Sequence, residues 1–272
     1  MSKPSLEVAQ ALLKSRLTSR MCEFPDQFPG RPMTEIEGYE VQDAHLSLLQ
    51  SHFGGGLSGY KAGFITRETR IQFGGVERLG IDSPTYGGLL ERFTFKEVAR
   101  VPFRELMRPS VESEMAMRIG RDIPMTPAGY DRESITPFVD ACMAGIELVD
   151  FHLPFSSFSS PLAPLMLADN ACNWGVVIGP PVTSWRELDL PNLRGELRCN
   201  GELVEAGLGS ALAGHPLNVL VGLENRLLKM GKTLRAGEIV MLGSVVLNFP
   251  IKEPCEICAT WEALGTAKAI FE

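Results

Sequence analysis

The chain has 272 residues, and its 33 aspartates and glutamates outnumber its 26 lysines and arginines by seven. With 44% hydrophobic and 22% charged residues it has the composition of a folded protein of one or two domains rather than a disordered chain. The acidic balance and the lack of any lysine- or arginine-rich block exclude general nucleic-acid binding, and an anionic small-molecule substrate would need a local cation, either a metal ion or a few aimed side chains.

The opening segment MSKPSLEVAQALLKSRL has no continuous apolar run of the secretory kind and predicts a short amphipathic helix over 5–18. No stretch reaches the ~18 apolar residues that span a bilayer, so a cytoplasmic protein is expected. Thr34-x-x-Glu37 has the form of a capping box and opens a second helix over 35–52, which carries His45 and His52. Gly54-Gly55-Gly56 follows without the strand and helix that a dinucleotide loop requires.

From Gly59 onward glycine and proline become frequent, and short strand-like runs alternate with turns. Lys61, in GYKAG, is a single cation among small and apolar residues. That setting lowers a lysine pKa and suits it to acid–base work, although a surface lysine with its stem on apolar neighbours fits as well. Asp82-Ser83-Pro84 reads as a turn.

Val111 to Ile119 reads as a strand with Glu112 and Glu114 on one face. Two carboxylates so placed repel each other unless something positive lies between them, and hard divalent cations prefer oxygen ligands. On the pattern alone an ordinary solvated strand face is the plainer reading, and a further carboxylate is needed to favour a metal site. Residues 131–147 are helix-like but interrupted by Pro137, which either opens a helix or kinks one. In the apolar run 145–150, Glu147 or Asp150 would be costly to bury unpaired and is the obvious third ligand.

Alternation over 193–199, then Asn200-Gly201, then 202–206 predicts a hairpin with a type I′ turn. Pro216 to Met230 predicts a helix with proline at its first position and Gly231 at its end; His215 precedes it and either caps it or reaches a substrate. Strands are expected at 238–242, 256–261 and 266–271. Six scattered cysteines do not form a secreted disulfide framework. Cys255 and Cys258 fit a strand better than half a zinc site, because no second ligand pair accompanies them. The expected class is α+β, with a helical N-terminal segment and a β-rich body from about residue 85.

Several blocks, in order, resemble one family: GYKAG (59–63), GIDSPTYGGL (80–89), VESEMAMRIGRDIP (111–124), GIELVD (145–150), DNACNWGVVIG (169–179), GHPLNVLVGLENRL (214–227), LRAGEIVMLGS (234–244) and LGTAKAIF (264–271). They are similar to the 2-keto-4-pentenoate hydratases and 2-oxo-3-enedioate decarboxylases of the fumarylacetoacetate hydrolase superfamily. The resemblance implies a mixed β-roll with decorating helices, divided into an N-terminal helical segment, 1–84, that contributes Lys61 and Asp82, and a catalytic domain, 85–272. It implies that Glu112, Glu114 and Glu147 hold Mg²⁺ or Mn²⁺, that Lys61 and Asp82 line the active site, and that Asp169, Asn170, His215 and Ser244 lie near it. It further implies a homo-oligomer acting on a small 2-oxo or 2-hydroxydienoic acid from aromatic-ring catabolism, with no nucleic-acid or membrane partner. Hydration is the first reaction expected, with decarboxylation of a 2-oxo-3-enedioate, hydrolysis of an acylpyruvate and a noncatalytic binding role as alternatives. The pattern departs from the family at Phe151-His152, where the hydratases usually carry Ser-Arg, so His152 is a candidate for reading the substrate's tail. It departs again at the longer segments before Asp82 and over 151–168.

Overall fold

The computed structural model describes residues 3–24, 28–65, 84–154 and 163–272. Helix α1 (Lys3–Thr18) buries Val8, Ala9 and Leu12 against helix α2 (Glu35–Phe53). The capping box at the start of α2 is formed: Thr34 Oγ1 accepts from the Glu37 N–H, and the Glu37 carboxylate accepts from the Thr34 N–H, so two otherwise unpaired donors of the first turn are satisfied.

The body consists of two sheets. One contains β1 (Leu57–Gly63), β2 (Thr85–Leu90), β3 (Thr94–Lys96), β5 (Pro109–Ile119), β6 (Val139–Asp150), β7 (Asn173–Ile178), β10 (Ile239–Ser244) and β11 (Phe249–Pro250). Its strand order is β2-β1-β10-β5-β6-β7-β3, with β11 on β5. The other contains β4 (Val98–Val101), β8 (Arg194–Cys199), β9 (Glu202–Leu208), β12 (Glu256–Trp261) and β13 (Gly265–Phe271), in the order β4-β13-β12-β8-β9. Both are mixed: β1 with β10, β3 with β7 and β4 with β13 run parallel, and the other pairs antiparallel. The sheets share a core in which Val111, Ile146 and Leu148 meet Leu197, Ile257 and Ala259.

Three short-range patterns determine local structure as expected. Asn200 and Gly201 have φ 50° and 86°, the left-handed pair of a type I′ turn, between β8 and β9. After the short helix α4 (Ala163–Ala168), helix α5 (Pro216–Lys229) starts at proline and buries Leu217, Leu220, Leu223 and Leu227. In β12, Ile257, Ala259 and Trp261 point into the core while Cys258 is half-buried; all six cysteines are free thiols.

The stretch 131–147 departs from its helix-like pattern. A single helical turn, α3 (Arg132–Ile135), passes into a 3₁₀ turn containing Pro137, and from Val139 the chain is strand, buried along nearly its whole length. Strands buried on both faces lose the polar alternation that distinguishes them from buried helices. The boundary expected at residue 84 falls between β1 and β2, which pair antiparallel in one sheet. Strand β1 approaches β10 closely at Gly59, where φ is 146° and a Cβ would lie 1.9 Å from the Ile239 carbonyl oxygen. Only glycine permits that contact, and it fixes where Lys61, two residues on, enters the sheet.

Candidate metal centre and active site

Strands β5 and β6 pair in a register that sets Glu112 directly opposite Glu147 and Glu114 opposite Gly145. Residues opposite each other in an antiparallel pair share a face, so all three carboxylates converge, with one oxygen from each within 4.8 Å of the others. Glu114 is 0% exposed and Glu147 1%, which removes the solvated-face reading of this pattern. Burial, then the neighbouring Glu147 carboxylate, pushes Glu112 up to about 7 and Glu114 well above the carboxylate range.

Each carboxylate has one oxygen fixed by an N–H. Asn248 Nδ2 donates to Glu112 Oε1 at 3.1 Å, the Gly243 amide to Glu114 Oε2 at 2.9 Å, and Asn173 Nδ2 to Glu147 Oε1 at 2.9 Å. Gly243 has φ 86° and lies within a register shift of β10 against β5, the local distortion that turns its amide toward Glu114. Glu114 Oε1 is buried with no hydrogen-bond partner. Three hard oxygen donors, oriented by N–H groups and including an orphaned carboxylate oxygen, fit a divalent cation of the Mg²⁺ or Mn²⁺ kind.

Lys61 projects from β1 to the same point, 7% exposed, with Nζ 3.2 Å from Glu147 Oε1. Its environment reverses the sequence expectation. Burial alone lowers the ammonium's pKa, but Glu147, Glu112 and Glu114 outweigh it and hold the group above its ordinary value. Lys61, Glu112 and Glu147 line a cavity whose other walls include Phe64, Ile65, Val149, Phe151, Met166 and Ala171. Among the described lining residues Lys61 is the only cation.

The remaining expected site residues are distributed differently. Ser244 lines the cavity, but its hydroxyl is engaged with the Val246 and Ser113 backbone. Asp150, the alternative third ligand, accepts from the Met107 and Arg108 amides and stands apart from the cluster. His152, Asp169 and His215 do not line the cavity. His215 caps α5, its Nδ1 accepting from the Leu217 N–H at 3.1 Å. Asn170 binds the Gly88 backbone through both halves of its amide. Asp82 lies outside the described residues, as do much of the two long segments, 66–83 and 155–162. Asn173 and Asn248, which orient two of the carboxylates, carry no local sequence signal; one opens β7 and the other immediately precedes β11.

His152 is 3% exposed and lies between Asp150 and Asp169, at 3.2 and 3.4 Å. Burial opposes its charge, but Asp169 and Asp150 prevail and lift it to about 9. A histidine so raised stabilises the fold fully below its unfolded value of about 6.5, and that contribution is lost as pH rises through the folded value. At about 1.4 kcal/mol per pH unit the difference is roughly 3 kcal/mol. Urea titrations between pH 6 and 10 are expected to show wild-type stability falling by this order, and His152→Gln removing the fall; parallel profiles would mean that His152 is neutral in the folded protein.

The family model for the fumarylacetoacetate (FAA) hydrolase C-terminal domain matches residues 93–257, more than half of the chain. The chain belongs to the fumarylacetoacetate hydrolase family. A 2-keto-4-pentenoate hydratase of Paraburkholderia xenovorans (strain LB400) is 28% identical over 272 residues, spanning 98% of this chain and 94% of the relative. A 4-oxalocrotonate decarboxylase of Pseudomonas putida is 26% identical, spanning 88% and 86%. The fold is shared with 4-oxalocrotonate decarboxylase from Pseudomonas putida G7 in complex with magnesium and adipate, at a TM-score of 0.84 and 24% identity over 98% and 97% of the two chains. The matched family region holds all three carboxylates, whereas Lys61 lies before it.

Proposed function

We propose that the protein is a Mg²⁺- or Mn²⁺-dependent hydratase that adds water to a 2-hydroxy-2,4-dienoate, by way of the 2-oxo-3-enoate, to give a 4-hydroxy-2-oxo acid. The observation that carries this reading is the convergence of Glu112, Glu114, Glu147 and Lys61, with Lys61, Glu112 and Glu147 lining a cavity whose remaining described wall is largely apolar. Glu112, Glu114 and Glu147 would hold the ion. When bound, it supplies an anchor for a 2-oxo acid and Lewis acidity for negative charge developing on the C2 oxygen.

The chain's own groups account for the rest. Asn248, the Gly243 amide and Asn173 hold the carboxylates in place, so little reorganisation accompanies the reaction. Lys61 Nζ carries the proton that moves to the terminal carbon of the dienol, and the same group serves the addition, in which C4 receives hydroxyl and C3 a proton. With Glu112, Glu114 and Glu147 engaged by an ion, the charge that raises Lys61 would be offset and its proton would exchange more readily. Phe64, Ile65, Phe151 and Met166 provide surface for a hydrocarbon tail and exclude water from it.

Decarboxylation of a 2-oxo-3-enedioate is the second reading, supported by the decarboxylase relative that spans most of the chain. The largely apolar character of the described wall favours a substrate without a second carboxylate. Incubation with 2-hydroxypenta-2,4-dienoate, Mg²⁺ and H₂¹⁸O is expected to place the label at C4 of the product. Release of CO₂ from a 2-oxo-3-enedioate, with no labelled product from the dienoate, would replace hydration by decarboxylation.

A further inference from the structure

Helix α1 reaches the metal centre through one buried guanidinium. Arg16 Nη1 donates to the Asn173 carbonyl at 3.2 Å and Nη2 to the Trp174 carbonyl at 2.7 Å. Its guanidinium carbon lies 4.7 Å from the centre of the Phe93 ring and within 6 Å of the Phe53 and Trp174 rings. The two carbonyls belong to a bulge: Val149 pairs with Asn173 and Leu148 with Gly175, which leaves Trp174 as the extra residue. A bulge interrupts the ladder, bends the strand and re-aims its side chains, and the Arg16 fork binds the backbone at that interruption. The re-aimed side chain is Asn173, whose Nδ2 donates to Glu147 Oε1 at 2.9 Å.

We infer that Arg16 is a positioning residue of the proposed metal centre, fixing the Asn173–Trp174 bulge so that Asn173 orients Glu147. The inference rests on the reading of Glu112, Glu114 and Glu147 as metal ligands. Two further observations support it. Asn170, Ala171 and Cys172, immediately before the bulge, all have positive φ (52°, 51° and 63°), a conformation that costs energy in each non-glycine residue and persists only where its surroundings enforce it. Arg16 is also nearly fully buried, and burial lowers its pKa to about 10 with Asp169 and Asp150 opposing, so the fork remains charged at neutral pH. Anchoring α1 does not require that charge, since Val8, Ala9 and Leu12 are fully buried against α2 and its neighbours.

Titration of the metal-free protein with Mn²⁺, read by calorimetry, tests the inference without using turnover. Arg16→Met keeps the apolar packing and removes the donors, and is expected to weaken Mn²⁺ binding about 10-fold or more, the usual cost of losing a group that orients a metal ligand. Asn173→Ala should weaken it similarly, and the double variant should bind no more weakly than Asn173→Ala alone, because both changes break one chain of contacts. Leu12→Ala controls for a purely structural role: it should lower the melting temperature while leaving Mn²⁺ affinity unchanged. If Arg16→Met does not fold, Arg16→Lys, which keeps charge but gives up the fork, is read in the same way. Unchanged affinity on altering Arg16, an equal loss in Leu12→Ala, or additive losses in the double variant would overturn the role of Arg16. A wild-type protein that binds no Mn²⁺ would overturn the metal centre itself and the inference with it.

Discussion

Glu114→Gln is expected to abolish binding of Mg²⁺ and Mn²⁺, to lower metal-dependent turnover by about a thousandfold or more, and to raise the melting temperature of the metal-free protein. The first two effects follow from removing one of three charged oxygen donors; at about 1.4 kcal/mol per decade, a thousandfold corresponds to about 4 kcal/mol of lost stabilisation, within the several kcal/mol a Lewis-acid cation supplies. The third has the opposite sign. Glu114 is completely buried, with Glu147 and Glu112 adjacent, and its carboxyl is held well above the ordinary range. An acid raised on folding costs stability once pH exceeds its unfolded value, so at pH 8 the wild-type apoprotein bears a burden that the neutral amide lacks. Relief of even 1–2 kcal/mol should appear as a few degrees in a protein of this size. Steady-state assays and melting curves with Mg²⁺ or EDTA would measure both effects. Undiminished turnover in the variant, or of the wild type in excess EDTA, would refute the mechanism.

Lys61→Met is expected to lower kcat by about 10²–10⁴-fold, the usual contribution of a positioned proton carrier. Its effect on stability is opposite to that of Glu114→Gln. Glu147 loses the ammonium 3.2 Å from its Oε1 while remaining buried, and breaking such a pair costs about 3–5 kcal/mol. Added Mg²⁺ should restore much of that stability, because the ion provides the missing counter-charge, but it should not restore kcat. A variant that keeps turnover within tenfold of wild type would remove Lys61 from the proton-transfer role. A variant whose stability is indifferent to Mg²⁺ would show that lysine and cation do not share the same three carboxylates.

The sequence discloses what depends on near neighbours. The capping box at Thr34, the Asn200-Gly201 turn and the apolar face of α5 are governed by spacings of a few residues, and the i, i+2 placement of Glu112 and Glu114 on a strand already suggests a cation. Which acid joins them depends on register: Glu147 faces Glu112 across β5 and β6, whereas Asp150 lies three residues on and is occupied by backbone amides. Asn173, Asn248 and Arg16 acquire their roles only when distant strands and helices meet, so nothing beside them in the chain marks them. The flanking residues of Lys61 suggest a depressed pKa because they are apolar, and the carboxylates that reverse this come from strands 50 or more positions away. His152 looks like a substitute for a substrate-reading arginine; in three dimensions it is buried between Asp150 and Asp169, away from the cavity lining.

The parallel pairing of β1 with β10 also bears on the order in which the site forms. Contacts between β5 and β6 close a short loop, whereas Gly59 meets Ile239 only after most of the chain has been made. Loop closure favours the nearer pairing, so during synthesis the acidic hairpin can assemble while β10 has yet to emerge. Until then Lys61 lacks the strand that completes its place beside Glu147. On that order of assembly the most repulsive interior feature would form before its covalently supplied counter-charge is in place, and a divalent ion bound at that stage would stabilise the acidic hairpin.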